Sequence, residues 1–100
     1  MVKHVILWKI KAEKTEEEKK EIKAGVKAGL ESLQGKIPGM VSIQVNTNGL
    51  TSSTADVMLD STFESEEALK GYAVHPEHVK VADSAVRPFM EVRMCLDYEV

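Results

Sequence analysis

Two of the three histidines in this chain lie in one stretch, GYAVHPEHVK, at residues 71–80. Tyr72 precedes His75 by three residues, and His78 follows it at the same spacing. A neutral imidazole accepts a proton near neutral pH, and a phenol donates a hydrogen bond to a carbonyl oxygen. In one partly apolar cavity, a tyrosine and an imidazole would suit the enolisation of a carbonyl compound by general acid–base catalysis.

The same stretch is also open to interpretation as a metal site. His75 and His78 are spaced i, i+3, and Glu77 and Asp83 could add ligands. Two histidines without a third strong ligand do not specify a zinc site, and a histidine before a proline can instead cap a restarted helix. We therefore predict no metal and no cofactor, and keep a metal-dependent mechanism as the alternative.

Two helical segments must position these residues. The capping-box pattern at Thr15 begins an amphipathic helix that ends within residues 35–39, and Ser65 caps a second helix. Pro76 lacks an amide hydrogen but fits the first turn of a helix, so the second helix is expected to break and restart there.

Strand-like alternation of apolar and polar residues covers four other segments: residues 2–11, 40–45, 55–63 and 91–99. The order β-α-β-β-α-β predicts an α+β, ferredoxin-like fold, in which a four-stranded antiparallel sheet carries both helices on one face. A chain of 100 residues forms a single domain, residues 1–100.

The sheet must bury apolar side chains on both faces. The first strand turns these side chains to one face: Val2, His4, Ile6, Trp8 and Ile10. The other face would expose an apolar row: Val5, Leu7, Val92, Met94 and Leu96. Such a row is larger than a soluble monomer usually tolerates, and pairing two sheets across a two-fold axis buries both copies. We predict an obligate homodimer with a barrel-like core.

The helix-facing side of the last strand carries Arg93, Cys95 and Asp97. Charged residues are rarely buried without partners, so Arg93 and Asp97 either pair at a sheet edge open to water or line a polar pocket. His4 faces the same side, beside Ile6, and is either a satisfied core residue or part of that pocket.

Charge and composition exclude several partners. The net charge of -3, with lysines interleaved among glutamates, gives no footprint for nucleic acid. The apolar run at residues 5–8 is too short for a membrane span or a signal-peptide core, so we expect a cytoplasmic protein without a membrane partner.

Cys95 is the only cysteine, which rules out an internal disulfide. Phosphate-loop, nucleophile-elbow and CxxC motifs do not occur.

Several motifs together resemble the stress-responsive dimeric A/B barrel family, over essentially the whole chain. They are VKHVILWKIK at residues 2–11, TFES at 62–65, Y-x-x-H-P-x-H-V at 72–79, F-x-E at 89–91 and the closing Asp97-Tyr98. The resemblance implies a small homodimer whose two sheets form a shared barrel. The family takes its name from stress-responsive plant proteins, so the resemblance also implies a role in stress responses. One family member, olivetolic acid cyclase, closes a polyketide by a cofactor-free aldol reaction.

The resemblance places the acid–base pair of that reaction on Tyr72 and His78. His78 would abstract the proton beside a carbonyl, and Tyr72 would steady the oxyanion. It also places His4 in the pocket wall. We predict a small-molecule pocket whose ligand-binding residues are His4, Ile6, Trp8, His75, Arg93 and Asp97. The first helix would add a wall of Val26, Ala28 and Leu30, and Trp8 would fill part of the space. Arg93 favours an anionic or polar ligand.

Three functions remain open. A cofactor-free cyclase or lyase, or a small-molecule binder, predicts a cavity into which Tyr72 and an imidazole both point. A non-catalytic, stress-associated dimer predicts a filled interior with Trp8 packed against the broken helix. A cofactor-free monooxygenase of a related dimeric barrel fold rests on fold analogy alone.

Overall fold

The computed structural model describes all 100 residues and confirms the ferredoxin-like α+β fold. Its main elements are β1 (Val2–Ile10), α1 (Glu16–Glu31), β2 (Met40–Asn46), β3 (Val57–Phe63), α2 (Glu66–Val74), α3 (Pro76–Val81) and β4 (Met90–Glu99). The sheet is antiparallel throughout, with strand order β2-β3-β1-β4. β1 is therefore central, and β4 is an edge strand.

The helices begin where the capping residues predict. The Thr15 hydroxyl accepts a hydrogen bond from the Glu18 amide, and the Glu18 carboxylate accepts one from the Thr15 amide. Three apolar side chains of α1 are buried: Ile22, Val26 and Leu30. Ala28 is exposed, so the expected pocket wall of Val26, Ala28 and Leu30 is wrong, because Ala28 lies off the apolar stripe of this helix.

The core lies between the sheet and the helices. All five predicted side chains of β1 are buried there: Val2, His4, Ile6, Trp8 and Ile10. Gly39 joins α1 to β2 at φ +79°, where a β-carbon would come within 2.5 Å of the Ala68 β-carbon. Only glycine fits that turn without moving α2.

The opposite face of the sheet carries the expected apolar row. Leu7, Val92, Met94 and Leu96 are exposed, and Val5 is half-buried. The cross-strand register pairs Val5 with Leu96 and Leu7 with Met94, so these side chains form one continuous strip.

None of the helices is both long enough and apolar enough to cross a membrane.

The helix-facing side of β4 is left largely uncovered because β4 is an edge strand. Arg93 lies opposite Trp8, Cys95 opposite Ile6, and Asp97 opposite His4. This register brings polar side chains of β4 beside the buried face of β1, where the site described next is found.

Candidate functional site

The break between α2 and α3 positions the tyrosine and the second histidine. α2 ends at Val74, and Pro76 is the first residue of α3, as the sequence predicts. His75 joins the two helices in an extended conformation, and its Nδ1 accepts a hydrogen bond of 3.1 Å from the Glu77 amide. A π-helical turn, Ala82–Val86, follows α3. Such turns often occur at functional sites, and here Ala82 and Val86 point inwards.

Tyr72 and His78 are brought into direct contact by this arrangement. The centroids of their rings lie 4.1 Å apart, with an angle of 35° between the ring planes. Phe63 also packs against Tyr72, at a centroid distance of 5.0 Å, and the His4 ring lies edge-on at 6.0 Å. The phenol ring therefore packs against three other rings.

The Tyr72 hydroxyl has no hydrogen-bond partner, although the residue is only 2% exposed. Buried hydroxyl groups are satisfied in the large majority of cases. This oxygen has less than 1 Å² of accessible surface, so a ligand atom or water reaches it only when neighbouring side chains shift. Burial raises the pKa of Tyr72 well above its usual range, which Arg93 opposes only in part. The phenol is therefore a neutral donor at physiological pH.

His78 is held in one tautomer by the backbone. Its Nδ1 lies 3.3 Å from the Ala73 carbonyl oxygen. Since a carbonyl only accepts, Nδ1 carries the proton and Nε2 keeps its lone pair. Burial lowers the pKa of His78, opposed by the Ala73 hydrogen bond and assisted by Arg87, His4 and Arg93. The imidazole is therefore a neutral base, beside a tyrosine whose own pKa moves in the opposite direction.

Tyr72 and His78 line one cavity of about 170 Å³ between the sheet and the helices. Six of the eight predicted site residues line it: His4, Ile6, Trp8, Tyr72, His78 and Arg93. The rest of the helical wall comes from α2, the π-helical turn and the residue that follows that turn rather than from α1, through Leu69, Ala73, Ala82, Val86 and Arg87. Sequence reasoning did not assign these five residues to the site; Leu69 and Ala73 carried a signal, since both lie on the same predicted helix as Tyr72.

Asp97 lies in a neighbouring cleft between β4 and α2, of about 580 Å³. This cleft shares His4, Leu69, Ala73 and Arg93 with the cavity. Arg93 thus lies where the two spaces meet and forms no ion pair. Its guanidinium is available to a ligand that enters from the cleft.

The sequence left open an ion pair between Asp97 and Arg93 at the sheet edge. The structure does not form this pair. The Asp97 carboxylate accepts a hydrogen bond from Nδ1 of His4, the residue directly opposite on β1. The Cys95 thiol is 3.4 Å from the same carboxylate oxygen, and burial is the main cause that raises its pKa. A thiol of this kind is protonated and a poor nucleophile.

His75 does not line the cavity, since its ring caps α3. The metal alternative required His75 and His78 to share an ion with Glu77 or Asp83. These side chains do not cluster, and Asp83 pairs with Arg87. The one group of three ligand-type side chains whose donor atoms lie close together is His4, Cys95 and Asp97, with all atoms within 4.8 Å of one another.

The family model of the stress responsive A/B barrel domain matches residues 2–100. No curated protein matches the chain in sequence. Among solved structures, a dimeric ferredoxin-like protein of unknown function from Bacteroides fragilis is similar, with 34% identity and a TM-score of 0.92. That similarity covers 99% of this chain and 95% of the other.

Two structural relatives at lower identity have names that refer to chemistry. A hydroxynitrile lyase from Passiflora edulis has 20% identity and a TM-score of 0.71, covering 97% of this chain and 90% of its own. A Nitrosomonas europaea protein described as an antibiotic biosynthesis monooxygenase has 12% identity and a TM-score of 0.76, covering 100% and 98%. At these identities, the likeness is one of fold.

Proposed function

Because the chain belongs to the stress responsive A/B barrel domain family, we propose that it is a homodimer that binds a small carbonyl compound in the Tyr72–His78 cavity. There it catalyses a cofactor-free acid–base reaction of the aldol cyclase or lyase type. A cytoplasmic location is part of the proposal. The stress role is carried by the family description alone.

The orphaned hydroxyl of Tyr72 is the observation that carries this proposal. A buried donor without a partner costs free energy unless something binds it. Its neighbour in the cavity is an imidazole with a free Nε2 lone pair. A donor and a base in one small, largely apolar space are the two groups that enolisation of a ketone needs.

The proposed reaction uses only these two side chains for proton transfer. Nε2 of His78 takes a proton from the carbon beside the carbonyl, and the C–H electron pair forms the enolate. The Tyr72 hydroxyl donates a hydrogen bond to the oxygen on which the negative charge develops. The enolate carbon then attacks a second carbonyl, and His78 returns its proton to the new alkoxide. Read in reverse, the same steps cleave a carbon–carbon bond.

Arg93 supports an anionic substrate, because it lies at the junction of cavity and cleft without an acidic partner. A guanidinium binds a carboxylate through paired hydrogen bonds. The cavity is smaller than the range of about 300–1,000 Å³ typical of drug-sized ligands, so the reacting part of the substrate is small. We therefore propose a small keto acid, with its carboxylate toward Arg93.

The homodimer is supported by the exposed strip on the free face of the sheet and by the dimeric Bacteroides fragilis structure. Face-to-face pairing of two such strips gives the barrel-like core that the sequence predicts. The strip lies on the side of the sheet away from Tyr72 and His78, so each protomer contains a whole cavity.

The non-catalytic alternative and this proposal differ in what they expect between the sheet and the helices. It requires Trp8 and the broken helix to fill the space, whereas Trp8 lines a cavity. The monooxygenase alternative has the fold likeness to the Nitrosomonas europaea protein as its sole support.

Exchange of substrate hydrogen with solvent tests the proposal. Levulinate, a small keto acid, is incubated with the protein in D₂O, and deuterium uptake beside the ketone is followed by NMR. We expect uptake faster than in buffer, and its loss in His78→Asn. The matched control, His75→Asn, replaces a histidine outside the cavity by a residue that also caps helices, and it should exchange like the wild type. Equal uptake in His78→Asn would remove His78 from the reaction.

A further inference from the structure

The register of β1 against β4 places three different metal-ligating groups at one point of the sheet edge. Asp97 lies opposite His4, and Cys95 is two residues earlier on the same side of β4. Alternation turns all three side chains toward the helices. Nitrogen, sulfur and carboxylate oxygen are the donors that zinc-class divalent ions take in proteins.

Two of the three distances between the donor atoms match those around a tetrahedral ion. Cys95 Sγ lies 3.7 Å from His4 Nδ1 and 3.4 Å from Asp97 Oδ1. Zinc bonds of about 2.0–2.3 Å in tetrahedral geometry separate ligand atoms by about 3.3–3.8 Å. The third pair, Nδ1 and Oδ1, is in direct hydrogen-bond contact and must open. The Asp97 side chain is 45% exposed, so it has room to swing outward.

The hydrogen bonds of the group converge on a single atom. Asp97 Oδ1 accepts from both the His4 ring and the Cys95 thiol. Two donor hydrogens therefore point toward one carboxylate oxygen, in the region that a cation with these ligands would occupy. His4 is nine-tenths buried and fixed by the sheet, so one ligand is already in place. The cleft between β4 and α2 gives an ion a path from solvent.

We propose that His4, Cys95 and Asp97 bind a divalent ion of the zinc class, with the fourth position open to the cleft. The ion takes Nδ1 of His4, whose proton moves to Nε2, and the thiolate of Cys95, whose proton leaves to solvent. One proton is therefore released for each ion bound, and binding strengthens as the pH rises. The site uses neither Tyr72 nor His78, although His4 also lines their cavity.

Cobalt is the probe for the test, because Co²⁺ takes zinc sites and absorbs light. The full chain is titrated with Co²⁺ at neutral pH under reducing conditions. We expect a thiolate-to-cobalt charge-transfer band that saturates at one ion per chain and disappears when Zn²⁺ is added. A titration without this band, or with a band that Zn²⁺ leaves unchanged, overturns the proposal.

Variants assign the ligands. Cys95→Ser is expected to abolish the band, and Asp97→Asn to weaken Co²⁺ binding by at least about tenfold, since even outer-shell changes cost about 10–100-fold. Circular dichroism checks that both variants fold. The matched control, His75→Asn, should bind Co²⁺ like the wild type. Weakened Co²⁺ binding in His75→Asn, or unchanged Co²⁺ affinity in Asp97→Asn, contradicts the assignment. Tyr72→Phe should keep the band while losing deuterium exchange, which separates this site from the proposed reaction.

Discussion

The imidazole of His78 lies against the phenol ring of Tyr72, with the ring centroids 4.1 Å apart, in a cavity that both side chains line. Burial moves their pKa values in opposite directions, that of Tyr72 upward and that of His78 downward. Both groups are therefore neutral at physiological pH, one as a hydrogen-bond donor and the other as a base.

Tyr72→Phe should separate catalysis from stability. The hydroxyl has no partner in the protein, so its removal breaks no internal hydrogen bond. We expect the free energy of unfolding to stay within about 0.5 kcal/mol of the wild type, or to rise, while deuterium exchange into levulinate falls. Urea unfolding and the NMR exchange assay measure the two effects. A loss of several kcal/mol would show that the hydroxyl has a structural partner.

The exchange rate should depend on pH through a single ionisation on the acidic side. The pKa of His78 lies below its usual 6.5, because burial disfavours the imidazolium. Only the neutral form is a base, so kcat/KM for exchange should rise as the pH increases through that lowered pKa. It should then stay level through mildly alkaline pH, because the pKa of Tyr72 is raised. A rate that rises only above pH 6.5 contradicts the assignment.

Arg93→Gln should discriminate between charged and neutral substrates. A hydrogen bond to a charged group contributes about 1.5–3 kcal/mol, so kcat/KM for levulinate should fall by at least about tenfold. The methyl ester of levulinate lacks the carboxylate and should be affected much less. Exchange assays on the acid and the ester provide the comparison. Equal losses for both would show that Arg93 does not bind the carboxylate.

Leu96→Glu should dissociate the dimer. The side chain is 64% exposed in the single chain and belongs to the apolar strip, so a carboxylate there would be buried unpaired between the two sheets. Sedimentation velocity measures the mass of the variant. Val74→Glu is the matched control, since Val74 is 75% exposed but lies at the end of α2, and it should stay dimeric. If Leu96→Glu also stays dimeric, the sheets do not pair through this strip.

Local sequence patterns were sufficient for the main elements of the fold. Alternation over β1 identified its buried face, and the capping residues Thr15 and Ser65 marked the starts of two helices. The helix break at Pro76 follows from its missing amide hydrogen. These features depend on a few neighbouring residues, and a sequence therefore contains them directly.

The site depends on relationships that no local pattern contains. The contact between His4 and Asp97 joins residues 93 positions apart, and it needs the register of two strands. The π-helical turn, Ala82–Val86, changes the phase of the helix, so periodicity does not predict which of its residues face the cavity. The tautomer of His78 is set by the Ala73 carbonyl across the helix break.

A two-dimensional NMR titration of the His78 imidazole against pH, with and without levulinate, tests the central claim most directly. The wild type should show a pKa below 6.5, a neutral form with the proton on Nδ1, and a shift when levulinate is added. In Tyr72→Phe, the response to levulinate should weaken, because the carbonyl loses its donor. A His78 resonance that titrates as a free histidine and ignores levulinate would contradict the account, and would favour a non-catalytic dimer.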